Sequence, residues 1–263
     1  MENNSQPQTD TGGRKIVLLA GAAHGIGRAT ALLAASRGHA LAACDNDKAG
    51  LDALRGELPP GSDALLVRAD VTSAKSLEEF VAATIKKFGR LDSAICNAGG
   101  MISLVHEGAV SSNIRRFMET PVEDWQKIVN LNLYGALNLA HAVLPAMIGR
   151  GHGRLVFVAS VAGLVGSAGI GVYAAAKGGV IAFAKSMARE LGENGISVNC
   201  VAPGGIATRA FPADSPSSKK RLEQIPLKRL GLPEEVANVV MYMATDAPDY
   251  LTGEVVSVSG GPP

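Results

Sequence analysis

Residues 15–37, KIVLLAGAAHGIGRATALLAASR, decide the fold. Lys15–Ala20 is a short apolar run of the kind that forms a buried strand. It stops at Gly21, and Gly25 and Gly27 follow before a helical pattern that continues to about Arg37. A strand feeding a glycine-rich turn and then a helix is the setting of a dinucleotide-binding crossover. The glycines let the backbone approach a pyrophosphate, which rests on the positive end of the helix. Gly21, His24, Gly25, Ile26 and Gly27 are therefore candidate cofactor contacts.

The next apolar run, His39–Cys44, stops at Asp45. That acid follows the turn at roughly the 20-residue spacing at which a carboxylate meets an adenosine ribose. A carboxylate there accepts from both ribose hydroxyls and repels a 2′-phosphate; its ordinary alternative is a cap on the following helix. Strand-like runs recur at Ala64–Ala69, before Asp70 and Val71, and at Leu91–Cys96, before Asn97, Ala98, Gly99 and Gly100. They recur again at Leu155–Ala159, ending on Ser160, at Ile196–Ala202, leading into Pro203 and Gly204, and beyond Leu251. Helical patterns fall between them: Ser73–Phe88, Thr120 to about Met147, Val172 to Leu191, and Pro233 to about Thr245. Thr120, Pro121 and Glu123 read as a capping box that opens the second of these. Pro145 loosens its last turn. With right-handed crossovers, such alternation gives an α/β, doubly wound Rossmann-type fold with a seven-stranded parallel sheet in the order 3-2-1-4-5-6-7.

Composition agrees with this class. The 263 residues are 47% hydrophobic but only 4% aromatic, which suits parallel strands covered by helices. They are expected to form one domain, 14–263, behind a flexible polar leader, 1–13. The leader has no apolar core and does not read as a signal peptide. A net charge of +1 gives no reason to expect nucleic acid or a membrane surface as partner. Residues 155–176 carry no charge, yet glycines break them and the pattern changes midway, so they read as strand, loop and helix start. Cys44, Cys96 and Cys200 are far apart, and His24, His39, His106, His141 and His152 have no ligand spacing. No metal is expected; the cysteines read as small buried hydrophobes in a reducing, cytoplasmic setting.

The chemistry concentrates after Leu155. Tyr173 and Lys177 lie one turn apart on one helix face, and Ser160 can reach that face if the connection folds back. A phenol normally loses its proton near pH ~10. A fixed ammonium nearby favours the phenolate and fits the phenol for exchanging a proton with an alcohol or carbonyl.

Five groups now stand in order: Gly21-x3-Gly25-x-Gly27, Asn97-Ala98-Gly99, Asn132-Leu133-Tyr134-Gly135, Ser160 with Tyr173-x3-Lys177, and Pro203-Gly204-x3-Thr208. Together with the closing residues 251–261 they resemble the short-chain dehydrogenase/reductase family. The chain departs from the pattern at Ala20, Cys96 and Ser259, where the family usually has Thr, Asn and Asp. The resemblance implies hydride exchange between a nicotinamide and a carbinol carbon. It makes Tyr173 the acid/base, Ser160 the oxygen clamp, Lys177 the ligand of the nicotinamide ribose and Asn132 the holder of a relay water. Asn130 is the competing candidate for the last role. By the same resemblance Asp70 and Val71 hold the adenine edge, Asn97, Ala98 and Gly99 pass close to the cofactor, and Pro203, Gly204, Ile206 and Thr208 meet the nicotinamide amide and pyrophosphate.

NAD is expected rather than NADP, because His24 and Asn46 stand where phosphate-binding relatives often carry Arg or Lys. The expected substrate is a hydrophobic or alicyclic secondary alcohol, walled by residues 100–120, 161–172 and a lid at about 209–225. The run Lys219-Lys220-Arg221 in that lid reads as a solvated face, with an anionic substrate tail as the alternative. Two other functions fit the motifs: an NADP-dependent 3-oxoacyl-thioester reductase, and a dinucleotide-binding redox sensor without turnover. Family resemblance also implies a homotetramer that pairs the long fourth and fifth helices.

Overall fold

The structure, a computed structural model, describes residues 13–100, 116–209, 211 and 222–262. Nearly all of the expected leader, residues 101–115 of the expected pocket wall, and residues 210 and 212–221 of the expected lid, with Lys219, Lys220 and Arg221, lie outside the described residues.

The apolar runs of the sequence form the strands β1 (Ile16–Ala20), β2 (Ala40–Asp45), β3 (Ala64–Arg68), β4 (Ser93–Cys96), β5 (Gly153–Val158), β6 (Ile196–Pro203) and β7 (Val255–Val258). They make one sheet in the order β3-β2-β1-β4-β5-β6-β7, and each neighbouring pair is parallel. This is the expected doubly wound, Rossmann-type sheet. Strands β1, β4 and β6 are buried along their whole length, as strands covered on both faces must be.

The helices α1 (Gly25–Ser36), α2 (Lys48–Glu57), α3 (Ala74–Phe88), α4 (Val122–Val129), α5 (Gly135–Ile148), α6 (Ala162–Val165), α7 (Gly171–Leu191) and α8 (Pro233–Met241) cover the sheet. One face packs Leu18, Phe157 and Val198 against Leu77 and Phe80 of α3, Leu139 and Val143 of α5, and Val180 and Ala184 of α7. The other packs Leu19, Leu41 and Val156 against Ala31 and Ala34 of α1, Leu51 and Leu54 of α2, and Val236 and Val240 of α8. Residues 155–176 form strand, short helix and helix start inside this arrangement.

A buried carboxylate ties the strands at the edge away from the glycine turn. Asp92 accepts from the Ile16 N–H at 2.7 Å, from Arg150 Nη1 at 2.8 Å and from Arg90 Nε at 3.1 Å. Burial pushes this carboxyl up, but the Arg150, Ile16 and Arg90 donors outweigh it and hold the group below the usual carboxylate range.

Two helical expectations need correction. Thr120 does not cap α4: its hydroxyl donates back to the Arg116 carbonyl, and the described N-cap, Pro121, has no side-chain acceptor to offer. The long fourth helix is also not a continuous α-helix. A π turn, Asn130–Tyr134, separates α4 from α5, and a second, Tyr242–Asp246, follows α8.

Candidate active site

Strand β1 pairs with β2 on one side and β4 on the other, so the chain changes direction across the sheet at β1. The crevice beyond such a reversal is where open α/β sheets hold their ligands. The turn after β1 enters it. Gly21 and Ala22 donate to the Cys44 carbonyl at 2.8 and 3.1 Å, and Asn97 Nδ2 donates to the Gly21 carbonyl at 2.8 Å. These contacts fix the turn although Ala20 has no hydroxyl. A Cβ on Gly27 would lie 1.8 Å from the Gly21 oxygen, so only glycine lets α1 start so close to β1. His24 caps α1 without a side-chain bond, and no acidic residue stands in the first turn. The first N–H groups of a helix have no intrahelical partner. An uncapped helix start with no acid of its own, behind glycines, fits the pyrophosphate of a dinucleotide.

Asp45 ends β2 beside this turn. Its Oδ2 accepts from the Ala23 N–H at 2.9 Å and its Oδ1 from the Asp47 N–H at 3.0 Å. It does not cap α2; Asp47 does, accepting from the Gly50 N–H at 3.0 Å. Asp70 bonds Thr72 through both the N–H and the hydroxyl, and Ser73 rather than Asp70 caps α3. The Val71 carbonyl accepts from Asn138 Nδ2 at 2.9 Å. Asn138 had no signal in the sequence, because its partner lies far along the chain.

The catalytic candidates gather around Lys177. This lysine is buried in α7, and its Nζ donates to the Val158 carbonyl at 2.9 Å. Burial pulls the amine below the ordinary lysine range, against the opposing influence of Cys96 and Cys200. Both thiols are pushed up by burial, Cys96 to about 11 and Cys200 to about 12. The register explains their place, since Cys96 pairs with Phe157 and Phe157 with Cys200, a row across β4, β5 and β6 beneath the amine.

Asn132 is buried within the π turn, whereas Asn130 is exposed. The Asn132 Oδ1 accepts from the Gly100 N–H at 2.8 Å, while its Nδ2 donates to the carbonyls of Gly100 at 3.1 Å and Ile128 at 3.0 Å. Both amide hydrogens are thus spent on backbone. The wider turn is what carries Asn132 inward, a common reason for a π turn beside a site.

Ser160 follows β5 and turns there, its Oγ accepting from the Ala162 N–H at 3.2 Å. Ser160, Tyr173 and Lys177 line one cavity of about 300 Å³ with His24, Gly25, Ile26, Asn97, Gly99, Pro203, Gly204, Ile206 and Thr208. A Cβ on Gly25 would stand 3.2 Å from Thr208 Cγ2, so the loop after β6 touches the start of α1. Gly21, Gly27, Ala98 and Asn132 lie behind this lining. Asp45, Asp70 and Val71 lie outside it, as residues at the far, adenosine end would. The cavity also takes in Ala162 and Ile170 of the expected wall 161–172 and Arg209 and Phe211 of the expected lid, together with Gly205, which no reading had singled out.

Comparison with known proteins agrees with this geometry. A family model described as enoyl-(acyl carrier protein) reductase matches residues 21–262. The 3-oxoacyl-[acyl-carrier-protein] reductase FabG of Thermotoga maritima is 38% identical over 251 residues, which cover 94% of this chain and 97% of that protein. The cyclohexanol dehydrogenase of Rhodococcus sp. (strain TK6) is 38% identical over 264 residues, covering 94% and 95%. Among solved structures, that of levodione reductase superposes with a TM-score of 0.86 at 32% identity, covering 94% of this chain and 96% of that one. By this match along almost its whole length, and by the sheet and motifs that go with it, the chain belongs to the short-chain dehydrogenase/reductase family, oxidoreductases that work with NAD or NADP.

Proposed function

We propose that the protein oxidises a hydrophobic, alicyclic secondary alcohol to the ketone with NAD. The observation that carries the choice of cofactor is Asp45, held by Ala23 and Asp47 at the mouth of the glycine turn. A carboxylate there suits a ribose diol and opposes a 2′-phosphate. Ala162, Ile170 and Phe211 give the cavity near Ser160 an apolar wall. The names of two relatives, a cyclohexanol dehydrogenase and a levodione reductase, support the same substrate class.

NAD would be held by the turn Gly21–Gly27, by Asp45, by Asn97–Gly99 and by the loop Pro203–Thr208, with Asp70 and Val71 at its adenine. When bound, it supplies the acceptor for the hydride leaving the carbinol carbon. In this reading the Ser160 hydroxyl donates to the substrate oxygen and fixes it. Tyr173 removes the proton of that oxygen as the carbonyl forms. Lys177 stabilises the phenolate state of Tyr173 through its charge, and Val158 holds the amine in place. Asn132 keeps Gly100 and the end of β4 closed against this group.

A second reading is supported by the several relatives named 3-oxoacyl-[acyl-carrier-protein] reductase: NADPH-dependent reduction of a 3-oxoacyl thioester. Fluorescence titration with NADH and NADPH separates the two, followed by assay of cyclic secondary alcohols with NAD and of 3-oxoacyl thioesters with NADPH. Tighter NADH binding and alcohol turnover support the first reading; tighter NADPH binding and thioester turnover replace it with the second. A homotetramer that pairs α5 and α7 is part of the proposal, supported by the exposed Tyr134 and Ile148 near α5, and light scattering tests it.

A further inference from the structure

The acid that ends β2 is not the only one beside the glycine turn. His24, immediately before Gly25, places Nε2 2.7 Å from Asp47 Oδ2. Asp47 is itself fixed, because its Oδ1 accepts from the Gly50 N–H and its own N–H donates to Asp45. The Gly50 N–H, followed by the His24 side chain, holds the Asp47 carboxyl below its ordinary range. Gly50 also makes room for the imidazole: a Cβ there would stand 2.7 Å from Ala23 Cβ and 3.0 Å from His24 Nε2. Other cations of this corner, among the described residues, have contacts of their own. Arg28 pairs with Glu57, Lys48 with Asp52 at 2.6 Å, and Arg68 donates from Nε to the Asn46 carbonyl at 3.2 Å.

From this we infer that Asp47 is a positioning residue for cofactor selection. It draws the imidazole of His24 onto the start of α2, so that a 2′-phosphate arriving at the adenosine ribose meets two carboxylates and an imidazole turned away from it. Asp45 alone accounts for attraction to a diol. Asp47 accounts for the withdrawal of the one side chain in the turn able to become cationic. The inference rests on the reading above that Asp45 faces the adenosine ribose.

Asp47→Ser tests it in the full-length protein. Serine still caps α2 but is shorter and uncharged, so His24 is released. NADH and NADPH are titrated by fluorescence at about pH 6. Asp47→Ser is expected to tighten NADPH about tenfold, the worth of one hydrogen bond to a charged group, and to leave NADH within about twofold. Asp47→Asn keeps the capping acceptor and loses only the charge, and should show a smaller gain in the same direction. Adding His24→Ala to Asp47→Ser should abolish the gain. An unchanged NADPH/NADH ratio in both Asp47 variants overturns the role of Asp47, as does a gain that persists without His24. Tighter NADPH binding by the unaltered protein overturns the NAD reading instead, so the two failures are told apart.

Discussion

Gly99 has no room for a side chain because of Lys177: a Cβ on that glycine would stand 2.9 Å from the Lys177 Nζ and 2.6 Å from Asn132 Oδ1. The glycine also holds φ +144°, where other residues are strained. Gly99→Ala therefore pushes the amine from its place or opens the end of β4. Displacements of this size in catalytic groups cost on the order of a hundredfold in rate. We expect such a loss in kcat from a variant that stays folded by circular dichroism; a normal rate would show that Lys177 needs no such support.

Tyr173→Phe removes the proposed acid/base and keeps the ring. General acid–base groups contribute roughly 10²–10⁴-fold. We expect a fall in kcat of that order with NADH affinity unchanged in fluorescence titration. Unaltered turnover of any accepted alcohol would remove Tyr173 from the mechanism.

Asp92 predicts how the fold responds to acid. Its folded-state pKa is depressed, so its contribution is present above the unfolded value of about 3.9 and is lost as pH falls through the folded value. Asp92→Ala leaves the Ile16 N–H without its acceptor and Arg150 and Arg90, both partly solvated, without their partner, and should cost about 1–3 kcal/mol in urea unfolding at neutral pH. The difference between variant and parent should shrink as acid protonates the parent's carboxyl. A difference that stays constant down to about pH 2 would show that the pairing is not what stabilises it.

The three cysteines are buried and free. Since the thiolate is the reactive form, thiols pushed up by burial should resist a disulfide reagent in the folded protein. Labelling is expected to be negligible before denaturation and to reach three groups per chain after it. Rapid reaction of Cys96 or Cys200 in the folded state would mean that the floor beneath Lys177 opens.

The sheet could be read in the sequence because buried parallel strands are continuous apolar runs, and Lys15–Ala20, His39–Cys44 and Ile196–Ala202 each end within a residue or two of the observed strands. The residues lining the cavity could be read where their types are unusual for their place, as with Ser160 at a strand end and Tyr173 beside Lys177. What escaped depends on partners distant in sequence. The π turn exists where Asn132 bonds Gly100 and where Gly135 packs close to Val71, and no local pattern announces either contact. Thr120 looked like a cap by spacing, yet its hydroxyl met a nearer carbonyl. Asp45 had a cap on α2 as its ordinary alternative; the backbone placed Asp47 at the helix start and left Asp45 to the glycine turn.

The widened turn between α4 and α5 has a consequence for the shape of the outer surface. One additional residue per turn rotates everything that follows by about 100° relative to an uninterrupted helix. The side chains of α4 and α5 consequently belong to two separate stripes, with Asn132 at the break between them. Shortening the segment by a single residue would realign the stripes and swing that amide out of the interior, so the length of this helix is constrained by a bond made at its middle.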